Sequence, residues 1–146
     1  MKVHLSLPTT DLARSVAFYK TLFNTEPLKR NDDYALFVAE NPGIELALNP
    51  QDRVHTDSGA HFGIAAEKPE AVDAATERLT RAGLVADVEN DETCCYARQN
   101  KVWTTDPDGR RWEVYYVLEE TKERDGADAQ CCSEETCDDY ATCCAG

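Results

Sequence analysis

Two adjacent cysteines, Cys94 and Cys95, stand in the run TCCYARQNKVW at residues 93–103. Consecutive Cα atoms lie about 3.8 Å apart, whereas a relaxed disulfide spans about 4.4–6.8 Å, so the two are poor partners for each other. In a reducing compartment, clustered thiols of this kind point to metal binding or chemistry rather than to bridges. A second set of chemically capable residues recurs at matched places. His4 and His61 each lie in the first strand-like run of their half, 57 residues apart; Glu45 follows the turn Asn41-Pro42-Gly43 and Glu113 follows the turn Asp106-Pro107-Asp108-Gly109. Two imidazoles and a carboxylate with open positions describe the facial triad of non-haem Fe(II) oxygen chemistry. A lone strand histidine is more often a hydrogen-bonded structural residue, and it is the matched placement that favours ligation. His55, in the polar linker QDRVHTDSG, has no such match and reads as surface.

The elements that must carry these residues repeat. VHLSL alternates as a strand, with His4 and Ser6 on one face and Val3, Leu5 and Leu7 on the other. Asp11 can cap a helix that puts Leu12, Val16, Tyr19 and Phe23 on one side. Extended stretches follow at 33–39 and 44–48. The second half gives a strand at 61–66, with His61, Gly63 and Ala65 opposite Phe62 and Ile64. Pro69 then opens a helix whose buried stripe is Val72, Ala75, Leu79 and Ala82, and Gly83 closes it. Further strands are expected at 84–88, 95–98, 102–105 and 112–117. The last puts Glu113 on the same face as Tyr115 and Val117, and a lone buried carboxylate is costly unless paired or bound to a cation. Trp112 and Tyr115 read as packing residues. The class is α+β, with two βαβββ modules at about 1–50 and 60–118.

Composition limits the partners. A net charge of −13 disfavours nucleic acid and anionic membrane, both of which need a basic footprint. The opening MKVHLSLPTT has no apolar signal core, and no window approaches the ~18 apolar residues of a span, so a soluble cytoplasmic chain is expected. Residues 119–146 carry nine acids against Lys122 and Arg124, a net of −7 that leaves −6 for residues 1–118. With Tyr140 as its only aromatic, this segment reads as a flexible tail. Its Cys131, Cys132, Cys137, Cys143 and Cys144 lack paired C-x₂-C zinc spacing and are either incidental or a trap for a soft metal or metalloid.

The paired modules, the helix DLARSVAFYKTLF and the ending DPDGRRWEVY resemble the vicinal oxygen chelate superfamily of glyoxalases, bleomycin-resistance proteins and extradiol dioxygenases. Within it, TCCYARQNKVWTTDPDGRRWEVYY resembles the carbon-arsenic lyases, which are related to the cadmium-induced proteins. The resemblance covers residues 1–118. It implies a curved mixed sheet around a metal site, and an Fe(II)- and O2-dependent enzyme that cleaves the carbon-arsenic bond of methylarsenite and trivalent aromatic arsenicals to release arsenite. It implies His4, His61 and Glu113 as metal ligands and Cys94 and Cys95 as the arsenic-binding pair, since trivalent arsenic is soft and thiophilic. Tyr96 and Lys101 would flank that pair on a gating loop, although Lys101 also reads as a solvated loop charge. A homodimer is implied by resemblance alone. Glu45 departs from a three-ligand set, because glyoxalase-like members place a carboxylate ligand there; it could bind metal or support a ligand through a hydrogen bond. Two alternatives stand beside the lyase: a thiol-based As(III) or Cd²⁺ binding protein without turnover, and a glyoxalase-like lyase or thiol transferase.

Overall fold

The computed structural model describes residues 2–56 and 59–124, so the five cysteines beyond residue 130 lie outside the described residues. Each half of the chain builds the same unit. The first comprises β1 (Val3–Thr9), α1 (Leu12–Phe23), β2 (Lys29–Asn31), β3 (Tyr34–Ala39) and β4 (Ile44–Pro50). The second comprises β5 (His61–Ala65), α2 (Pro69–Arg81), β6 (Val85–Cys94), β7 (Ala97–Thr105) and β8 (Arg111–Glu120). Both sheets have the same order, β1-β4-β3-β2 and β5-β8-β7-β6. In each, the first strand runs parallel to the last and the other pairings are antiparallel. The eight strands thus divide into two four-stranded mixed sheets, the α+β arrangement of two βαβββ modules expected above.

Local signals account for the helices. Asp11 accepts a hydrogen bond from the Arg14 amide at 3.0 Å, and Asn24, left-handed at φ 50°, ends α1. Pro69 opens α2, where its missing N–H costs nothing. Past Ala82, Gly83 turns left-handed at φ 69°, and the Leu84 amide reaches back to the Leu79 carbonyl. Ala82 was expected in the buried stripe but is exposed, because α2 has already ended at Arg81.

The helices bury their apolar sides against both sheets. Val16, Tyr19, Leu22 and Phe23 of α1 share one core with Val72, Ala75 and Leu79 of α2 and with Phe37, Leu46, Val102 and Trp112 of the strands. Trp112 joins the halves: it stacks on Phe62 at 4.7 Å and meets Tyr19 and Phe23 edge-on at 5.7 and 5.8 Å. Polar locks reinforce the junction. Arg78 of α2 donates to the Thr21 and Leu22 carbonyls at the end of α1. Tyr19 donates to the buried Asp106 carboxylate at 2.6 Å, and Arg110 bridges Asp106 and the Pro8 carbonyl. Burial, followed by the Asp106 charge, holds the Tyr19 phenol above its ordinary range, so it stays a donor. Tyr19→Phe leaves a buried carboxylate short of one partner, and chemical denaturation should show a loss of about 1–3 kcal/mol.

This packing decides where chemistry can occur. The helices take the inner face of each sheet, and His4 and Ser6 on β1 and His61, Gly63 and Ala65 on β5 point away from them and are exposed.

Candidate active site

The cysteine pair sits at the tip of the β6–β7 hairpin. Cys94 is paired with Ala97, so Cys95 and Tyr96 are the two loop residues, with φ of 55° and 66°. Two left-handed residues are the pattern of a type I′ turn, which normally selects Asn-Gly. Neither position here is glycine, and each such residue costs on the order of 1 kcal/mol or more, a strain that tends to collect at functional sites. The turn aligns the two side chains, leaving the Cys94 and Cys95 sulfurs 3.3 Å apart. Cys94 is buried and engaged in a disulfide; Cys95 is exposed with a free thiol. The strand expected at 95–98 therefore begins only at Ala97. Tyr96 is about half exposed, and its amide and carbonyl bond to the Arg124 carbonyl and the Thr121 amide. β8 itself runs past Leu118 to Glu120. The nearby Arg98 guanidinium is hydrogen-bonded to Asp91 and Glu119.

The matched histidines and glutamates form two pairs, one per module. On the first sheet His4 and Glu45 are direct cross-strand partners, with His4 Nδ1 3.5 Å from Glu45 Oε2. On the second, Glu113 stands opposite Gly63, and its Oε1 lies 3.4 Å from His61 Nε2. Gly63 makes that reach possible, because a Cβ there would come within 3.1 Å of Glu113 Oε1 and 3.0 Å of the Tyr115 ring. Both histidines and Glu45 are about half exposed, whereas Glu113 is largely buried. Among the described residues, no three of His, Cys, Asp and Glu gather into one ligand set. The chain brings His61 to Glu113 and His4 to Glu45, and it leaves the two pairs on separate sheets. His55 is exposed, as its linker position suggested.

Lys101 lies in the middle of β7 rather than on a loop, and it is among the most buried polar side chains of the described residues. β7 pairs with neighbours on both sides at this point, which corrects the expectation of a solvated or gating-loop charge. Its Nζ lies between Glu89 and Glu113, at 3.5 and 3.7 Å. Trp103 is two residues along the same face. Its ring packs edge-on to His61 at 5.2 Å, and the Arg111 guanidinium lies 4.2 Å above it. Glu89 and Trp103 escaped sequence reasoning, since nothing in DVENDET marks one acid out from the other acids beside it.

The repeated module, with a His and a Glu offered from the first and last strand each time, agrees with what comparison returns. A family profile described as the Glyoxalase/Bleomycin resistance protein/Dioxygenase superfamily matches residues 3–114. The chain belongs to this superfamily. Among relatives in the superfamily, a protein named trivalent organoarsenical cleaving enzyme, from Bacillus sp. (strain MD1), is 39% identical over 97% of this chain and 88% of its own length. The cadmium-induced protein CadI of Mycobacterium tuberculosis (strain ATCC 25618 / H37Rv) is 42% identical over 83% of this chain and 79% of its own. In fold, the chain is similar to the fosfomycin resistance protein FosX from Listeria monocytogenes, solved with Mn(II) and sulfate. That likeness has a TM-score of 0.59 at 21% identity, over 81% of this chain and 93% of that one. That FosX structure holds the divalent ion Mn(II).

The donor chemistry here suits such an ion. Two ligand atoms at right angles on one ion, each about 2.1 Å from it, stand about 3.0 Å apart, close to the observed His61–Glu113 separation.

Proposed function

We propose that this protein cleaves the carbon-arsenic bond of trivalent organoarsenicals, methylarsenite and trivalent aromatic arsenicals among them, releasing arsenite in an Fe(II)- and O2-dependent reaction. The observation that carries this reading is the pair of sulfurs held 3.3 Å apart on a left-handed turn, in a chain 39% identical to a protein named for that activity. Two sulfurs so placed can chelate one thiophilic arsenic atom, with its carbon substituent directed off the turn. Fixing the arsenical in this way makes attack on it effectively intramolecular. The Cys94 sulfur is available for this only in its reduced form. His4, His61 and Glu113 are the residues that would hold iron, with Glu45 as a fourth ligand or as the partner that orients His4. Bound Fe(II) supplies the one-electron chemistry through which O2 can react. Methylarsenite and one O2 balance to arsenite and formaldehyde without an outside reductant.

Because His4 and His61 occupy separate open faces, the reading includes a homodimer in which the His4 face of one copy meets the His61 face of another. Closed two-fold dimers are the commonest homo-oligomers, and in such a pair each face of one copy can meet the other face of its partner. Mixing the inactive His4→Ala and His61→Ala variants should then restore activity. A statistical mixture of dimers carries about a quarter of the wild-type number of intact sites, and no recovery would show that each chain builds its site alone. The first experiment loads reduced protein with Fe(II) without oxygen, adds methylarsenite and admits air. Catalytic arsenite release requiring both Fe(II) and O2 supports the lyase. Stoichiometric retention of methylarsenite would establish a thiol-based binding protein instead.

A further inference from the structure

Behind Glu113 lies a chain of buried charge that the chemistry above does not use. The side chains of Glu89, Lys101 and Glu113 are only 11%, 3% and 12% exposed. The register aligns them: Glu89 pairs with Lys101 across β6 and β7, and Trp103 pairs with Glu113 across β7 and β8, all four on one sheet face. An ammonium removed from water needs opposite charge around it, and here two carboxylates supply it. Lys101 Nζ meets one oxygen of each, Glu89 Oε2 at 3.5 Å and Glu113 Oε2 at 3.7 Å. The remaining oxygens diverge. Glu89 Oε1 accepts from the Trp103 indole N–H at 2.8 Å, and Glu113 Oε1 is directed to His61.

We propose that Glu89, fixed by Trp103, is a positioning residue for the metal site, neutralising Lys101 so that the charge of Glu113 stays available to a divalent cation. The inference rests on the metal reading above. The charge count gives the reason. Glu89, Lys101 and Glu113 together carry one negative charge. With Glu89 neutral, Lys101 and Glu113 cancel, and the ammonium is drawn onto Glu113, where it competes with the incoming ion. Lys101 also has a use: by holding Oε2 it leaves Oε1 as the oxygen offered beside His61.

The test measures Mn(II) affinity of the reduced full chain by the loss of the free-ion paramagnetic resonance signal. Mn(II) is chosen because it prefers carboxylate and imidazole to thiolate, which keeps the cysteines out of the measurement. Glu89→Gln should weaken binding by about 10-fold or more, in the range expected for groups that support metal ligands. Lys101→Met should tighten it, and the double variant should return to within about three-fold of wild type. Thermal melts monitored by circular dichroism establish that each variant is folded. A purely structural role predicts weaker binding in both single variants and weaker still in the double, which would overturn the proposal. Unchanged affinities in both would do the same while leaving the metal reading intact. A wild-type chain that binds no Mn(II) would remove the metal reading and this proposal together.

Discussion

Cys95→Ser should lower the rate of arsenite release from methylarsenite by about 100-fold or more, the scale on which losing a fixed reacting geometry is felt. The substitution exchanges sulfur for oxygen and little else. Serine has the same branching at Cβ, so the left-handed backbone at φ 55° is no more strained than before, and the exposed side chain makes no core contact. Thermal stability and divalent-metal affinity should therefore stay near wild type. Oxygen is a hard donor with little affinity for trivalent arsenic, so the chelate is reduced to one arm. The measurement is arsenic speciation over time at saturating and at low methylarsenite, with a phosphine as reductant. Cleavage at the wild-type rate would show that the thiol pair does not anchor the substrate. It would move the reading toward a glyoxalase-like lyase that relies on its metal alone.

His61→Ala should produce the complementary defect. Turnover should fall by at least about 100-fold, because one of the groups proposed to hold iron is gone and an open coordination set loses affinity steeply with each ligand. Methylarsenite should still bind stoichiometrically, since the sulfurs are on the β6–β7 turn and His61 is on β5. The ring is half exposed and touches Trp103 from the edge, so its removal takes little from the core. Metal affinity and methylarsenite retention, measured on one preparation, separate the two functions. If His61→Ala kept its turnover, no metal site at this position would be needed, and the exposed pair would be a surface contact only. Loss of turnover with metal affinity unchanged would place His61 in the reaction but outside the ligand set.

Much of the architecture was legible because it follows from local rules. Period-two alternation in VHLSL, a capping aspartate at position 11, proline at the start of α2 and glycine just past its end all act within a few residues of themselves. The duplicated order of elements made His4 and His61, and Glu45 and Glu113, comparable before any coordinates. The small residue beside each imidazole, Ser6 or Gly63, was readable as room, and Gly63 proves to be the place where Glu113 passes to reach His61. The sequence also marked Cys94 and Cys95 as unusual, since adjacent residues are too close for a relaxed bridge.

Other features depend on strand register and on how the two halves stack, which no local pattern encodes. Lys101 reads as a loop charge in RQNKVW, and only the pairing of β7 with β6 and β8 on either side buries it between Glu89 and Glu113. Hairpin geometry, set by which residue pairs with which, moved Cys95 out of the strand and into a left-handed turn. The largest decision was made by packing. The two helices share one core with both sheets, around Trp112 and Tyr19, and this leaves the His4–Glu45 and His61–Glu113 pairs on faces turned away from the helices, on separate sheets. The sequence by itself determined the modules, their repeated donors and the thiol pair, because each depends on neighbours along the chain. Only the tertiary structure decided that His4–Glu45 and His61–Glu113 stand as two pairs on separate sheets rather than as one cluster, because that depends on how the two sheets pack around the core.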